Sequence, residues 1–263
     1  MNINTNLKAI SLLAALISAA ACSIKEDRSP CPCWLDIDIT SCSGHTEEVT
    51  VAGWSQDNLF CEKVAVADYP DAYEATVSRG MVTSTAFCGL DNSTLEGSRI
   101  IIPEGSQSDP IRAHSVLVDC TGESARDRVE LYRQYATVHL SMKGGDDSSG
   151  QYDARVIGDI CGIDIVDLSP VAGSFTHLPE KDSDGTWIFR LPRQNEDTRI
   201  RAELILDGVV VDELPLHEWI RQTGYSWLER DLKDIYIGVD YGQGKIAITI
   251  QGWAEGETLD IIL

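Results

Sequence analysis

From residue 34 onward the chain alternates apolar and polar positions in short runs, the period of two that buries one face of a strand and wets the other. Leu35, Ile37 and Ile39 alternate with Asp36 and Asp38, and Val138, Leu140 and Met142 with Thr137, His139 and Ser141. Further strand-like runs fall at 49–51, 63–67, 99–102, 113–118, 155–157, 163–166, 187–191, 200–206, 208–212, 235–241 and 245–253, with 257–263 as a last one. Asp207-Gly208 reads as a two-residue hairpin turn, and Gly242-Gln243-Gly244 joins two of the late strands. One helix stands out: Leu216, Trp219 and Ile220 share a face, and Gly224 supplies the stop. Residues 124–135 read either as a helix start or as a turn leading into a strand. Many short strands broken by Gly, Asp and Pro predict an all-β fold of two β-sandwiches in series, with the one short helix in the second. The run Gly144-Gly145-Asp146-Asp147-Ser148-Ser149-Gly150 buries nothing and is either a long hairpin tip or, the reading favoured because strands restart after it with a similar rhythm, the linker between an N-terminal sandwich over 34–143 and a C-terminal one over 151–263.

The first 33 residues follow a different logic. Lys8 is followed by an uncharged run, Ala9 to Ala21, and then by Cys22. That run is shorter than the roughly 20 apolar residues a membrane-crossing helix needs. Nothing in it is amphipathic, and a buried N-terminal helix would need a polar face. A cationic start, a short apolar centre and small residues before a cut describe a secretory signal peptide over 1–21. A cysteine directly after three alanines is the mark of lipid attachment at Cys22, although Ala19 stands where leucine is commonest. Residues 22–33 then form a polar tether to the first strand.

Charge narrows the partners. There are 42 acidic and 21 basic residues in 263, a formal charge of -21, which becomes -22 once Lys8 leaves with the leader. Such a surface repels phosphate backbones and anionic headgroups, which argues against nucleic acid as a partner. Of the eight cysteines, seven remain if Cys22 carries lipid, so at least one stays unpaired within a monomer. Cys31-Pro-Cys33 is the closest pair, yet no second short-spaced pair or histidine pair completes a zinc site.

Catalytic motifs are missing from the sequence. Histidines 45, 114, 139, 177 and 217 occur singly, and His217-Glu218 lacks the second histidine of a zinc protease. There is no Gly-x-Ser-x-Gly elbow and no phosphate loop ending in Lys-Ser or Lys-Thr. Asp182-Ser183-Asp184-Gly185 begins like a calcium loop, but Arg193 stands where its closing glutamate belongs, so it reads as a solvated acidic turn. Asp36 and Asp38 read as the wet face of an edge strand. These features predict a non-enzyme with no cofactor, no metal and no small-molecule substrate. Among the six tryptophans, Trp34, Trp187 and Trp253 lie in strand patterns and Trp219 on the helix's apolar face, so core packing is expected for them. Trp54 and Trp227 lie in less regular stretches and are the two candidates for a surface glycan platform.

Three sets of residues resemble the FimB-type fimbrial anchor and assembly lipoproteins of Bacteroides-like bacteria. The first is Cys31-Pro-Cys33 followed by Leu35-Asp36-Ile37, and the second Tyr135-Ala136-Thr137-Val138. The third and most specific runs from Glu218-Trp219-Ile220 through Gly224-Tyr225-Ser226-Trp227, Leu232-Lys233-Asp234-Ile235-Tyr236 and Val239-Asp240-Tyr241 to Ile248-Thr249-Ile250-Gln251-Gly252-Trp253. The resemblance implies two transthyretin-like β-sandwich domains, a lipid anchor in the outer membrane, cell-surface exposure and a place at the base of a fimbrium. It implies that Lys25, Glu26 and Asp27 act as the surface-export signal, and that a fimbrial stalk subunit is the partner, met strand to strand in support of cell adhesion. Arg28 lies so near the lipid that a cut there would release the protein, which fits an anchor better than a stalk. The alternative is a lipid-anchored adhesin or glycan-binding protein using Trp54 or Trp227.

Overall fold

A computed structural model describes residues 31–56, 58–143, 152–250 and 258–262. The leader, Cys22, the export signal, the 144–150 run and Trp253 lie outside the described residues. The fold is all-β, two sandwiches in tandem, as the alternation predicts.

In the first half lie β1 (Cys33–Asp38), β2 (Glu48–Trp54), β3 (Asn58–Ala65), β4 (Tyr73–Val77), β5 (Met81–Cys88), β6 (Thr94–Glu96), β7 (Arg99–Ile101), β8 (Arg112–Asp119), β9 (Ser124–Arg128) and β10 (Tyr132–Arg133). The first sandwich faces a three-stranded sheet, β4-β1-β9, against a five-stranded one, β10-β8-β5-β2-β3. Its core holds Leu35, Ile37, Val49, Val51, Tyr73 and Val82 among others. Residues 124–135 settle as strands, β9 running parallel to β1. β1 is therefore central, with Asp36 opposite Glu74 on one side and Arg126 on the other, and not the edge strand its acidic face suggests.

The second half holds β11 (Tyr135–Lys143), β12 (Asp153–Asp164), β13 (Pro170–His177), β14 (Trp187–Pro192), β15 (Arg201–Leu206), β16 (Val209–Leu214), α1 (Leu216–Gln222), β17 (Ile235–Asp240), β18 (Lys245–Ile250) and β19 (Leu259–Ile262). One sheet orders β14-β11-β17-β18-β19; the other orders β16-β15-β12-β7-β6, with β13 also paired to β12. α1 buries Leu216, Trp219 and Ile220 as its spacing predicts. It ends where Thr223 donates to the Ile220 carbonyl at 2.6 Å and Gly224 takes φ +75°. The Asp207-Gly208 turn has φ of 51° and 80°, the two left-handed residues that a tight hairpin matching strand twist requires.

The boundary expected at 144–150 does not follow the strand pairing. β11 lies antiparallel to β14 and parallel to β17, so residues 135–143 belong to the second sandwich. The 144–150 run connects β11 to β12, which sit in the two facing sheets of that same sandwich. The chain passes between sandwiches at Gln134, whose N–H donates to Ile111 and whose carbonyl accepts from Arg193. A Gly- and Asp-rich run signals a connection without saying what it connects. The strands β6 and β7 cross over as well, β7 pairing with β12. A third apolar cluster seals the two halves together: Ala52, Trp54, Phe87 and Ala113 from the outer face of the first sandwich meet Ile100, Ile163 and Ile165.

Candidate functional site

The two tryptophans expected as surface platforms are both buried, which corrects that expectation. Trp54 is 8% exposed and Trp227 6%. Trp54 packs in the cluster between the halves and donates its indole N–H to Thr85 Oγ1 at 3.1 Å. Trp227 sits in the second core, edge-on to Tyr225 with ring centroids 4.9 Å apart. Neither ring offers a free face to a sugar. Trp187 and Trp219 are core residues as expected, but Trp34 is 55% exposed. The β1 alternation that buries Cys33, Leu35 and Ile37 turns Trp34 outward.

The acidic turn at 182–185 is satisfied by its own backbone. Asp182 Oδ1 accepts the N–H groups of Asp184 and Thr186, each at 2.9 Å, and Gly185 takes φ +79°. No cluster of His, Cys, Asp or Glu able to hold a metal occurs among the described residues.

What stands out is a sheet edge. β16 pairs with β15 on one side only, and among the described residues no other backbone group reaches its outer side. That edge carries three consecutive valines, Val209, Val210 and Val211, at 63%, 43% and 50% exposure. Valine suits strands because its branched side chain packs on a pleated surface, so an exposed run of it at an edge is a template for another strand. Two other edges, β14 and β3, are blunted. The outer side of β14 is met by Gln107, whose Oε1 accepts the Arg190 N–H at 3.2 Å, and by Ser108, whose N–H reaches the Arg190 carbonyl at 3.2 Å. β3 carries Glu62 and Lys63, the latter paired to Glu48 at 2.6 Å.

Beside the valine edge opens a cavity of about 260 Å³, lined by Met142, Tyr152, Leu204, Val211, Asp212 and Tyr241. Its walls come from both sheets of the second sandwich, so it marks the place where their separation is not filled by core side chains. Tyr241 donates its hydroxyl to Asp212 Oδ2 at 2.5 Å. Burial, and then that hydrogen bond to the carboxylate, push the Tyr241 phenol well above its ordinary range. The hydroxyl therefore stays a donor at neutral pH and fixes one wall. A row of unpaired backbone groups beside a largely apolar recess has what strand addition requires: main-chain bonds for affinity and a socket for side-chain selection. The sequence singles out 208–212 as a strand but gives no sign of its edge position.

No protein-family model matches the sequence, and no curated protein matches it. Solved structures do share its fold. The fimbrial anchor protein Mfa2 from Porphyromonas gingivalis superimposes with a TM-score of 0.61 at 11% identity, covering 85% of this chain and 98% of that one. A Bacteroides thetaiotaomicron protein provisionally described as polysaccharide-binding gives 0.61 at 13% identity, covering 88% and 98%. A Bacteroides ovatus protein provisionally described as an adhesin gives 0.58 at 14% identity, covering 91% and 97%. At these identities the likeness is one of fold.

Proposed function

We propose that this protein is an outer-membrane lipoprotein, held at the cell surface through lipid on Cys22 after removal of residues 1–21, that anchors or nucleates a fimbrium. Lys25, Glu26 and Asp27 direct it to the surface, and a fimbrial subunit adds a strand to the open edge of β16. The exposed Val209–Val211 edge beside its cavity is the observation that carries this reading, because a solitary protein gains nothing from leaving it open. The fold shared with a fimbrial anchor supports it, as does the Lys8-to-Cys22 export pattern. The role asks for cohesion and no reaction. Burial of Trp54 and Trp227 removes the residues on which the glycan-binding alternative rests.

The test separates the two ends of the molecule in its own cells. Cys22→Ala is expected to release the protein, and fimbriae with it, into the medium. Val210→Lys is expected to leave the protein on the cell while fimbriae are lost, since a charged edge strand resists pairing. Fimbriae unchanged in number and attachment in the Val210→Lys strain would show that β16 is not the contact.

A further inference from the structure

At one pole of the first sandwich, the start of β1, the β4–β5 turn and the β8–β9 turn converge. The register defines this pole: Cys33 stands opposite Val77, Met81 opposite Asp119, and Trp34 beside Ser124. Backbone bonds of 2.8 and 3.4 Å join Gly80 to Cys120 across it. Four large apolar side chains emerge here, with Trp34, Leu59, Met81 and Leu117 exposed at 55%, 37%, 48% and 61%. They do not form one flat patch. Trp34 lies on the outer face of the three-stranded sheet, whereas Met81 and Leu117 flank a groove of about 450 Å³ on the five-stranded one. A protein partner docking on one face would not cover both; a medium that surrounds the tip would.

The chain itself says what that medium is. Arg79 Nε donates to the Cys31 carbonyl at 2.9 Å and so fixes the point where the polypeptide leaves this pole. From Cys31 back to Cys22 there are nine residue steps, which reach at most about 30 Å when fully extended. A lipid on Cys22 therefore holds this pole within about 30 Å of the membrane. Tryptophan is the side chain most at home at a lipid–water boundary, since its ring is apolar and its N–H stays hydrated.

We infer that the Trp34 pole of the first sandwich sits in the membrane interface, with Trp34, Met81 and Leu117 inserted among lipid headgroups. The inference rests on the lipid-anchor reading and deepens it: lipid tethers the protein, and this pole orients it, pointing the second sandwich away from the membrane. The formal charge of -22 on the mature chain opposes anionic headgroups, so the contact is apolar and suits zwitterionic lipid.

The experiment uses the full lipidated protein, purified from its own cells and reconstituted into phosphatidylcholine vesicles with or without bromine on the acyl chains. Bromine quenches an indole only at close range. The wild type is expected to float with the vesicles and to lose emission on the brominated lipid, and Trp34→Phe to lose the greater part of that quenching. Adding Leu117→Trp to the Trp34→Phe protein is expected to restore it, whereas Val210→Trp is not. Flotation with equal quenching in wild type and Trp34→Phe overturns the oriented contact while leaving the anchor intact. Strong quenching of Val210→Trp overturns it too, because the molecule would then lie flat. Failure to float, with a mass showing an unmodified Cys22, removes the anchor reading and this inference together.

Discussion

Arg193 and Trp227 meet inside the second sandwich, the buried guanidinium donating to the tryptophan's backbone carbonyl. The same side chain donates to Gln134 Oε1 at 2.8 Å and to the Glu229 carbonyl at 2.9 Å. One arginine thus ties the interior of the fold to the 223–231 loop and to the crossing point between the sandwiches. Burial lowers its pKa from the ordinary range, but a guanidinium starts so high that it stays charged.

Arg193→Met leaves the buried Trp227 carbonyl and Gln134 Oε1 without this donor. The expected cost is about 3 kcal/mol, read as a lower urea midpoint, because breaking a charge-assisted buried contact exposes the desolvation of its partners. A midpoint unchanged within error would mean that water replaces the guanidinium at no cost.

Gly162 is the point where β12 passes β7. A Cβ there would stand 2.1 Å from the Ile100 carbonyl oxygen, a backbone atom with no freedom to swing away. Gly162→Ala is expected to cost about 1–3 kcal/mol by overpacking. Amide exchange should accelerate first at Ile102, which donates to the Cys161 carbonyl at 2.8 Å.

Asp109 is buried, which opposes its ionisation, yet the N–H groups of Asp91, Asn92 and Ser93 converge on it at 2.8 to 3.1 Å and hold its pKa below the usual carboxylate range. A carboxylate with a depressed folded pKa stabilises the fold above its unfolded value of about 3.9, and that stability is lost as pH falls through the folded value. Asp109→Asn should therefore be less stable than wild type at pH 7 and lose less of its remaining stability on acidification below about pH 4. Parallel pH profiles for the two proteins would contradict this.

The thiols should divide by position. Burial first, then a neighbouring cysteine (Cys88 and Cys33 respectively), push Cys42 and Cys120 up to about 12. Native alkylation at neutral pH is expected to label exposed Cys31 and Cys61 and to spare Cys42 and Cys120 until denaturant is added. Mass mapping of labelled peptides reads the result.

Much of the strand inventory was legible because one face of each strand is wet. In β1, β11, β17 and β18, alternate residues are buried and the pattern declares itself. β5 escaped notice for the opposite reason. The second half packs on its outer face, so Ser84 and Thr85 are both fully buried and no polar side remains to mark the period. β4 and β13 escaped as well, built largely from small or polar residues. Trp34 was readable, since it shares the outward set with Asp36 and Asp38, but the bulk of an indole outweighed its position. The crossover of β6 and β7 left no local trace, because pairing between residues 99–101 and 162–164 is a relation across the chain. The candidate edge was half visible: its valines were plain, its lack of a neighbour was not.

That crossover governs how the two halves can move against each other. The chain passes from the first sandwich to the second at β6, returns at β8 and leaves again at β11, so three covalent spans join the two sandwiches where a single linker would give one. A tug on the far sandwich is shared among them and through the β7–β12 ladder, and no single thread can stretch while its neighbours hold. Two sandwiches wired in this way part by unravelling strands, not by flexing at a hinge.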